Sequence, residues 1–415
     1  MNGPQLTAKD ATSGTATTPS VKDLLPGGFR FAGVTAGIKA SGKPDVSLIA
    51  GNGPLIAAGV YTQNQIVAAP VLWCRQRTPS GSIRAVVTVS GNANACTGTQ
   101  GVADNRQIAS TVAQSIGCHP DDVLVMSTGV IGQSLPMPKV LTGLENVHGQ
   151  LGTLASDFCD ASDAILTTDQ ARKISGASFR VDENEYRILA MAKGAGMIAP
   201  NMATFLCVMM TDYPLSPDTA QSILTRVSAK TFNCVSVDGH TSTNDTCLLL
   251  SSAAARSENT NADHTVFEAQ ASEVALQLAK RLVADGEGAT HYIALHVIGA
   301  DSDTDAGQIA RTVAASNLVK TAITGGDPNW GRIVSAAGYA PAKLYPDQVK
   351  LSICGVDIYR NGTPLKFDAA ALSAKMKSAA EVPLHLVVGP GPGSAMIYAS
   401  DLTCDYVRFN SEYTT

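Results

Sequence analysis

Aromatic residues supply only 5% of this chain and charged residues only 16%, and no basic cluster relieves either shortage. With a formal net charge of −5, the sequence carries no electrostatic footprint for a nucleic-acid backbone or an anionic membrane surface, and neither is expected as a partner. No stretch approaches the ~18 consecutive apolar residues of a transmembrane helix, and the first residues hold no basic region followed by an apolar one. The location expected from this is cytoplasmic. Cysteine gives no framework either: the nine residues are odd in number, scattered, and include no C-x-x-C pair, which reads as free thiols serving as small core residues. His291 and His296 lie five apart with no third ligand nearby, so no metal site is expected.

What is present is an ordinary globular composition, 45% hydrophobic over 415 residues. That is enough for one large domain or two to three ordinary ones. Residues 7 to 20 are small and polar and extend the reading of a disordered tail over residues 1 to 22. Strands are expected at 47 to 50 and 57 to 62 around the turn Gly51-Asn52-Gly53-Pro54, and at 85 to 90 and 123 to 126. Helical spacing runs over 101 to 117, 150 to 172, 217 to 230, 266 to 283 and 306 to 318, with further strands at 177 to 182, 187 to 191, 232 to 237 and 291 to 297. Strands and helices alternate without a regular βαβ rhythm. A layered α/β or α+β fold suits this better than a doubly wound parallel sheet.

One junction stands out. Residues 193 to 204, Lys-Gly-Ala-Gly-Met-Ile-Ala-Pro-Asn-Met-Ala-Thr, form a loop rich in Gly and Pro that runs into the apolar stretch 205 to 210, which has the length and character of a strand buried on both faces. Thr204 sits at the seam. A threonine hydroxyl is a weak nucleophile unless a base lies beside it, and one solution makes Thr the first residue of its own chain, so that its free α-amine is the base. An ordinary β-branched residue opening a strand fits the same pattern.

Other polar loops lie at strand and helix ends. Ser127-Thr128-Gly129-Val130-Ile131-Gly132 offers a hydroxyl on Thr128 and a backbone N–H at Gly129, the ingredients of an oxyanion hole, though Ser-Thr-Gly is also a common turn. Thr167-Thr168-Asp169 reads most simply as a helix end with a local cap. Residues 238 to 246 crowd short polar side chains between two apolar runs, either lining a site or closing a dense turn. Asp285-Gly286-Glu287-Gly288 exposes a carboxylate between two glycines, suited to gripping a cationic ligand or to a solvated turn. Gly389-Pro390-Gly391-Pro392-Gly393 is discounted as a nucleotide loop, because its prolines remove N–H donors.

Taken together with Gly326-Asp327-Pro328-Asn329-Trp330-Gly331-Arg332 and the final Asn410-Ser411-Glu412-Tyr413-Thr414-Thr415, these motifs resemble, in order and over nearly everything from Gly28 to Thr415, the glutamate N-acetyltransferase/ornithine acetyltransferase family. The resemblance implies a self-cleaving enzyme of arginine biosynthesis. The cut falls between Ala203 and Thr204, giving an α chain over 23 to 203 and a β chain over 204 to 415 with a smaller α+β lobe from about 340, associated as α2β2. It implies a layered sheet sandwich flanked by helices, similar in chemistry and general shape to N-terminal-nucleophile hydrolases but of distinct topology.

The reaction so implied is a ping-pong exchange. Thr204 takes the acetyl group of N-acetylornithine, Thr128 and Gly129 stabilise the oxyanion, and glutamate then accepts the acetyl group in the same pocket. No cofactor is required, and acetyl-CoA enters only as a co-substrate of bifunctional members. Matching positions carry the substrate contacts to Thr167, Lys193, Thr204, Glu287, Asn410 and Thr415, with Thr168 an alternative to Thr167 and the terminal Thr415 folded back into the site. Lys193 is assigned to the substrate α-carboxylate and Glu287 to the ornithine ammonium. The chain departs from the family pattern at Ala199, Cys234 and His240 and lacks a Trp within 394 to 400, differences that bear on selectivity rather than on the nucleophile. A self-cleaving aminopeptidase or amidase, which sends the acyl group to water, is the rival reading. A catalytically inert binding protein is a further one.

Overall fold

The computed structural model describes residues 20–199, 205–253 and 263–412. Ala203, Thr204 and Thr415, three of the residues singled out above, lie outside the described residues, as do residues 1 to 19 of the expected tail.

The strands, in chain order, are β1 (Phe29–Val34), β2 (Val46–Tyr61), β3 (Ser80–Asn92), β4 (Val123–Val130), β5 (Lys173–Val181), β6 (Asn184–Lys193), β7 (Leu206–Thr211), β8 (Val235–Ser236), β9 (Thr246–Ser251), β10 (Tyr292–Ala300), β11 (Lys350–Ile353), β12 (Val356–Arg360), β13 (Thr363–Pro364), β14 (Glu381–Val387) and β15 (Gly393–Ser400). The α-helices are α1 (Val21–Leu24), α2 (Ala69–Arg75), α3 (Gly98–Ile116), α4 (Met137–His148), α5 (Ala155–Ala164), α6 (Pro217–Lys230), α7 (Thr265–Ala284), α8 (Asp303–Ala315), α9 (Asn317–Thr324), α10 (Trp330–Gly338), α11 (Ala369–Ser378) and α12 (Cys404–Glu412).

Two mixed sheets carry the layers. The first runs β4-β3-β2-β9-β7-β6-β5, with β1 paired to β2; the second runs β13-β12-β11-β14-β10-β15-β8. Parallel pairs (β3 with β4, β7 with β9) sit among antiparallel ones in the first sheet, which is the layered, not doubly wound, arrangement the sequence indicates. The strand after the junction, β7, is buried along its whole length. Cys207 and Met209 face a core shared with α6 and α7, while Leu206, Val208 and Met210 face a second core with α5 and α2. Each such side chain contributes about 1.5–3 kcal/mol on leaving water. The core under α7 also takes in Ala294 and Tyr398 of the second sheet. Thus α7 lies between the sheets instead of outside them. The lobe expected from about 340 belongs to a sheet that starts earlier, because β10 pairs with both β14 and β15.

Four elements differ from the sequence reading. The strands expected at 47 to 50 and 57 to 62 are one strand, β2. Its first half pairs with β1 and its second with β9, while β3 follows both with register shifts between Ala50 and Leu55 and between Leu55 and Ala57. The residues read as a turn are the bulge where the partner changes. The helix expected over 150 to 172 ends at Ala164, because Asp169 takes the Thr167 N–H at 3.0 Å and the Gly194 N–H at 2.6 Å, a side-chain alternative to helical bonding. Over 232 to 237 only Val235–Ser236 is strand; the N–H groups of Val237, Asp238 and Gly239 all turn to the Ile198 carbonyl at 2.8 to 3.3 Å. The helix of 306 to 318 is two, broken at Ser316, whose Oγ accepts from Val319 N at 3.4 Å.

Where sequence and structure agree most closely, a cap is responsible. Ser216 Oγ accepts the Thr219 N–H at 3.2 Å and Pro217 opens α6. Ser216→Ala should lower stability by about 1 kcal/mol, read as a shift in the denaturant midpoint, with catalytic constants unchanged.

Candidate functional site

β3 and β4 are parallel, so their C-terminal ends emerge together. Ser90 lies opposite Thr128 and Gly91 opposite Gly129. Gly129 has φ +131°, and a Cβ there would stand 2.3 Å from the Gly91 carbonyl carbon, so only glycine permits the two strand ends to close up. Thr128 and Gly129 open onto a cavity of about 310 Å³ whose lining also includes Thr167, Thr168, Lys193, Glu287 and Asn410. The register of β6 with β7 sets Lys193 opposite Leu206. The same cavity therefore lies at the start of the strand that follows the junction.

Lys193 is buried, at 3% exposure, and its Nζ lies 3.2 Å from Thr128 Oγ1. An ammonium has donors only, so the contact leaves the Thr128 proton free to be given elsewhere. Burial pushes the Lys193 ammonium below its ordinary range, opposed by the carboxylates of Asp169 and Glu287. Across the cavity, Glu287 is gripped on both oxygens. Thr168 Oγ1 donates to Oε1 at 2.8 Å, and Asn410 Nδ2, from α12, donates to Oε2 at 3.0 Å. Gly196 backs against this carboxylate; a Cβ in its place would lie 2.4 Å from Oε2.

These segments are held by one buried cation, Lys173 at 2% exposure. Its Nζ donates to Asp169 Oδ1 at 2.6 Å and also to Asp285 Oδ2. Burial pushes the Asp169 carboxyl up, but Lys173 and Lys193 outweigh it and hold it well below the usual carboxylate range. For Asp285 burial wins over Lys173, and its carboxyl is raised. A second carboxylate, Asp238, fixes the Gly-rich loop from the other side, accepting Met197 N–H at 2.6 Å and Ile198 N–H at 2.9 Å. A third, Asp245, is fully buried and accepts the N–H of Phe205 at 3.1 Å. Burial pushes its carboxyl well above the ordinary range. This is the amide that joins residue 204 to Phe205.

Of the residues picked from sequence, the structure brings Thr128, Gly129, Thr167, Lys193, Glu287 and Asn410 to one cavity, while Thr204 and Thr415 lie outside the described residues. Both candidates at 167 and 168 line it, and Thr168 is the one bonded to Glu287. The Gly326–Arg332 motif does not. Trp330 stacks on Tyr359 with ring centroids 5.2 Å apart, and Arg332 bonds the Leu318 carbonyl at 2.9 Å, a packing role. Sequence reasoning missed Lys173, and gave Asp169, Asp238 and Asp245 no part of their own within the motifs that contain them. Charged residues inside otherwise apolar or glycine-rich stretches were the available signal. Among the described residues no group of three or more His, Cys, Asp or Glu is placed to hold a metal, and no helix is long and apolar enough to cross a membrane.

The layered mixed sheets thus bring a hydroxyl and a glycine at paired strand ends, a buried ammonium and a carboxylate to one cavity. The model of the ArgJ family matches residues 30–415, and the chain belongs to that family. It is 56% identical over 401 residues to the arginine biosynthesis bifunctional protein ArgJ of Rhodopirellula baltica, covering 96% of this chain and 98% of that protein. It is 43% identical over 395 residues to the protein of that name from Geobacter sulfurreducens, covering 94% and 99%. Among solved structures it is similar to the ornithine acetyltransferase of Mycobacterium tuberculosis complexed with ornithine, with 41% identity, TM-score 0.37, and coverage of 42% of this chain and 92% of that one.

Removing the shared cation should be costly. Lys173→Met leaves two carboxylates without their cation and should lower stability by about 3–5 kcal/mol at pH 7. The Asp169 carboxyl is depressed in the folded chain, so its stabilising share is present above its unfolded pKa of about 4 and is lost as pH falls. Denaturant midpoints at pH 7 and pH 3 should therefore show a larger deficit for the variant at pH 7 than at pH 3.

Proposed function

We propose that the chain is a self-processing acyltransferase of arginine biosynthesis that moves the acetyl group of N-acetylornithine to glutamate through an acetyl ester on Thr204. The observation that carries the reading is the single cavity at the mouth of β7. It gathers Thr128 and Gly129 with the Lys193 ammonium and the Glu287 carboxylate, which supports reading the first pair as oxyanion donors and the second as partners for the two charged ends of an amino acid. Family membership supports the same pathway.

Processing comes first. Thr204 Oγ adds to the Ala203 carbonyl, the Ala203–Thr204 C–N bond breaks, the proton passes to the departing nitrogen, and water hydrolyses the resulting ester. The two products are a chain ending at Ala203 and a chain beginning with Thr204, whose new α-amine serves as base; together they form an α2β2 assembly. In the exchange, Thr204 Oγ loses its proton to that amine and attacks the acetyl carbonyl. Thr128 Oγ1–H and the Gly129 N–H hold the oxygen as it becomes negative. The tetrahedral intermediate collapses with loss of the C–N bond, ornithine leaves with the proton, and glutamate's amine then takes the acetyl group and restores the hydroxyl.

Lys193 meets the α-carboxylate that both amino acids share, and Glu287 meets the side-chain ammonium of ornithine. Thr167, Asn410 and Thr415 complete the substrate contacts. No cofactor takes part in the exchange, and acetyl-CoA is a second acetyl source for the same Thr204, in keeping with the bifunctional name of the relatives. The amidase alternative differs only in the acceptor, water in place of an amine. A site with charged handles for a second amino acid favours transfer.

Intact mass under denaturing conditions tests the first step: the mature protein should give two chains, and Thr204→Ala one uncut chain near 42.9 kDa with no transfer. An uncut wild-type chain that transfers acetyl overturns the mechanism. Thr128→Ala should lower kcat by about 10²-fold or more; normal turnover returns that loop to a structural turn.

A further inference from the structure

Two substrates sharing one pocket pose an electrostatic problem that Glu287 alone does not solve. N-acetylornithine ends in an ammonium, which a carboxylate attracts. Glutamate ends in a carboxylate, which the same group repels.

The cavity's neutral polar side chains are mostly committed within the fold. Asn244 spends its amide hydrogens on the carbonyls of Ala93 at 2.6 Å and Ser127 at 2.8 Å, and the Thr243 hydroxyl donates to Asn244 Oδ1 at 2.6 Å. The Tyr406 hydroxyl donates to Asp238 at 3.3 Å. Thr168 and Asn410 point their hydrogens at Glu287. Among the described residues, only two lining side chains can carry positive charge, Lys193 and His240, and Lys193 stands beside Thr128 at the acyl-transfer end.

His240 is exposed, and its backbone is fixed. The N–H bonds Asp238 Oδ1 at 3.1 Å, and the same carboxylate holds Met197 and Ile198. Its ring, by contrast, makes no hydrogen bond or ion pair among the described residues. An imidazole donates one N–H when neutral and two when protonated, which is what a carboxylate requires.

We propose that His240 receives the side-chain carboxylate of glutamate, as Glu287 receives the side-chain ammonium of N-acetylornithine, so that one cavity serves both substrates through two handles of opposite sign. The proposal rests on the exchange reaction put forward above. It makes His240 a determinant of acceptor choice with no part in breaking or forming the acetyl bond.

Steady-state kinetics on the processed His240→Ala and His240→Gln enzymes separate the possibilities, and an exposed side chain makes a folding failure avoidable. A lost hydrogen bond to a charged group predicts that KM for glutamate rises about 10-fold or more in His240→Ala. KM for N-acetylornithine, and the rate of ornithine release in the first half-reaction, should stay within about 2-fold. Glutamine as acceptor gives a second readout, since His240→Ala should lose most of the wild-type preference for glutamate over glutamine while His240→Gln keeps part of it. An unchanged KM for glutamate, or an equal rise in both KM values, overturns the assignment. Absence of ornithine release from N-acetylornithine by the unmodified enzyme instead overturns the exchange reading itself, so the two failures are told apart.

Discussion

The ammonium of Lys173 is the tie on which the site's arrangement depends. It joins Asp169, in the loop after α5, to Asp285, at the end of α7 and 112 positions from Lys173 itself. Asp169 in turn grips the amide of Gly194, beside Lys193, and Asp285 lies two residues before Glu287. Three segments remote in sequence thereby meet at fixed separations. Burying ions is expensive, and such a pair persists only where the remaining lone pairs are also satisfied. Asp169 meets that condition with Lys173, the Thr167 N–H and the Gly194 N–H.

The same logic sorts the remaining carboxyls. Asp238 spends its oxygens on backbone N–H groups of the Gly-rich loop and on Tyr406, and so acts as a clamp. Asp245 has no cation within ion-pairing distance among the described residues; burial outweighs the Phe205 N–H, the Thr62 and Ser242 side chains and the more distant Lys193, and its carboxyl is raised. Glu287 keeps access to the cavity with a neutral donor on each oxygen. Lone pairs on those oxygens remain to meet a ligand's ammonium. Carboxyls that look alike in sequence thus divide into brace, clamp and cavity-facing group by what surrounds them.

Much of the fold was legible where a local rule and a burial pattern agreed. The apolar run after the junction became β7 because both its faces meet a core, and α6 begins where Ser216 and Pro217 say it should. The reading failed where side chains far away in sequence decide the backbone. Residues 165 to 172 carry a pattern compatible with helix, yet Asp169 turns them into a loop by bonding Gly194 and Lys173. Residues 51 to 54 look like a turn, yet neighbours on both edges keep β2 running. The candidate site was legible mainly through its glycine-flanked motifs, whereas its braces were not, because a lysine in a strand gives no sign of its partner.

By itself the sequence determined the chemistry on offer: hydroxyls at Thr128 and Thr204, an ammonium at Lys193, a carboxylate at Glu287, and a flexible glycine at 129. Side-chain chemistry is a property of the residue and needs no fold to declare it. Only the tertiary structure decided that Thr128, Lys193, Glu287 and Asn410 share one cavity, that Thr168 rather than Thr167 holds Glu287, and that the Gly326–Arg332 motif is spent on packing. The reason is that distance and burial are set by the whole chain. Parallel strand ends, a helix between two sheets and one buried lysine bring these groups within reach, and none of those constraints is written at the positions they constrain.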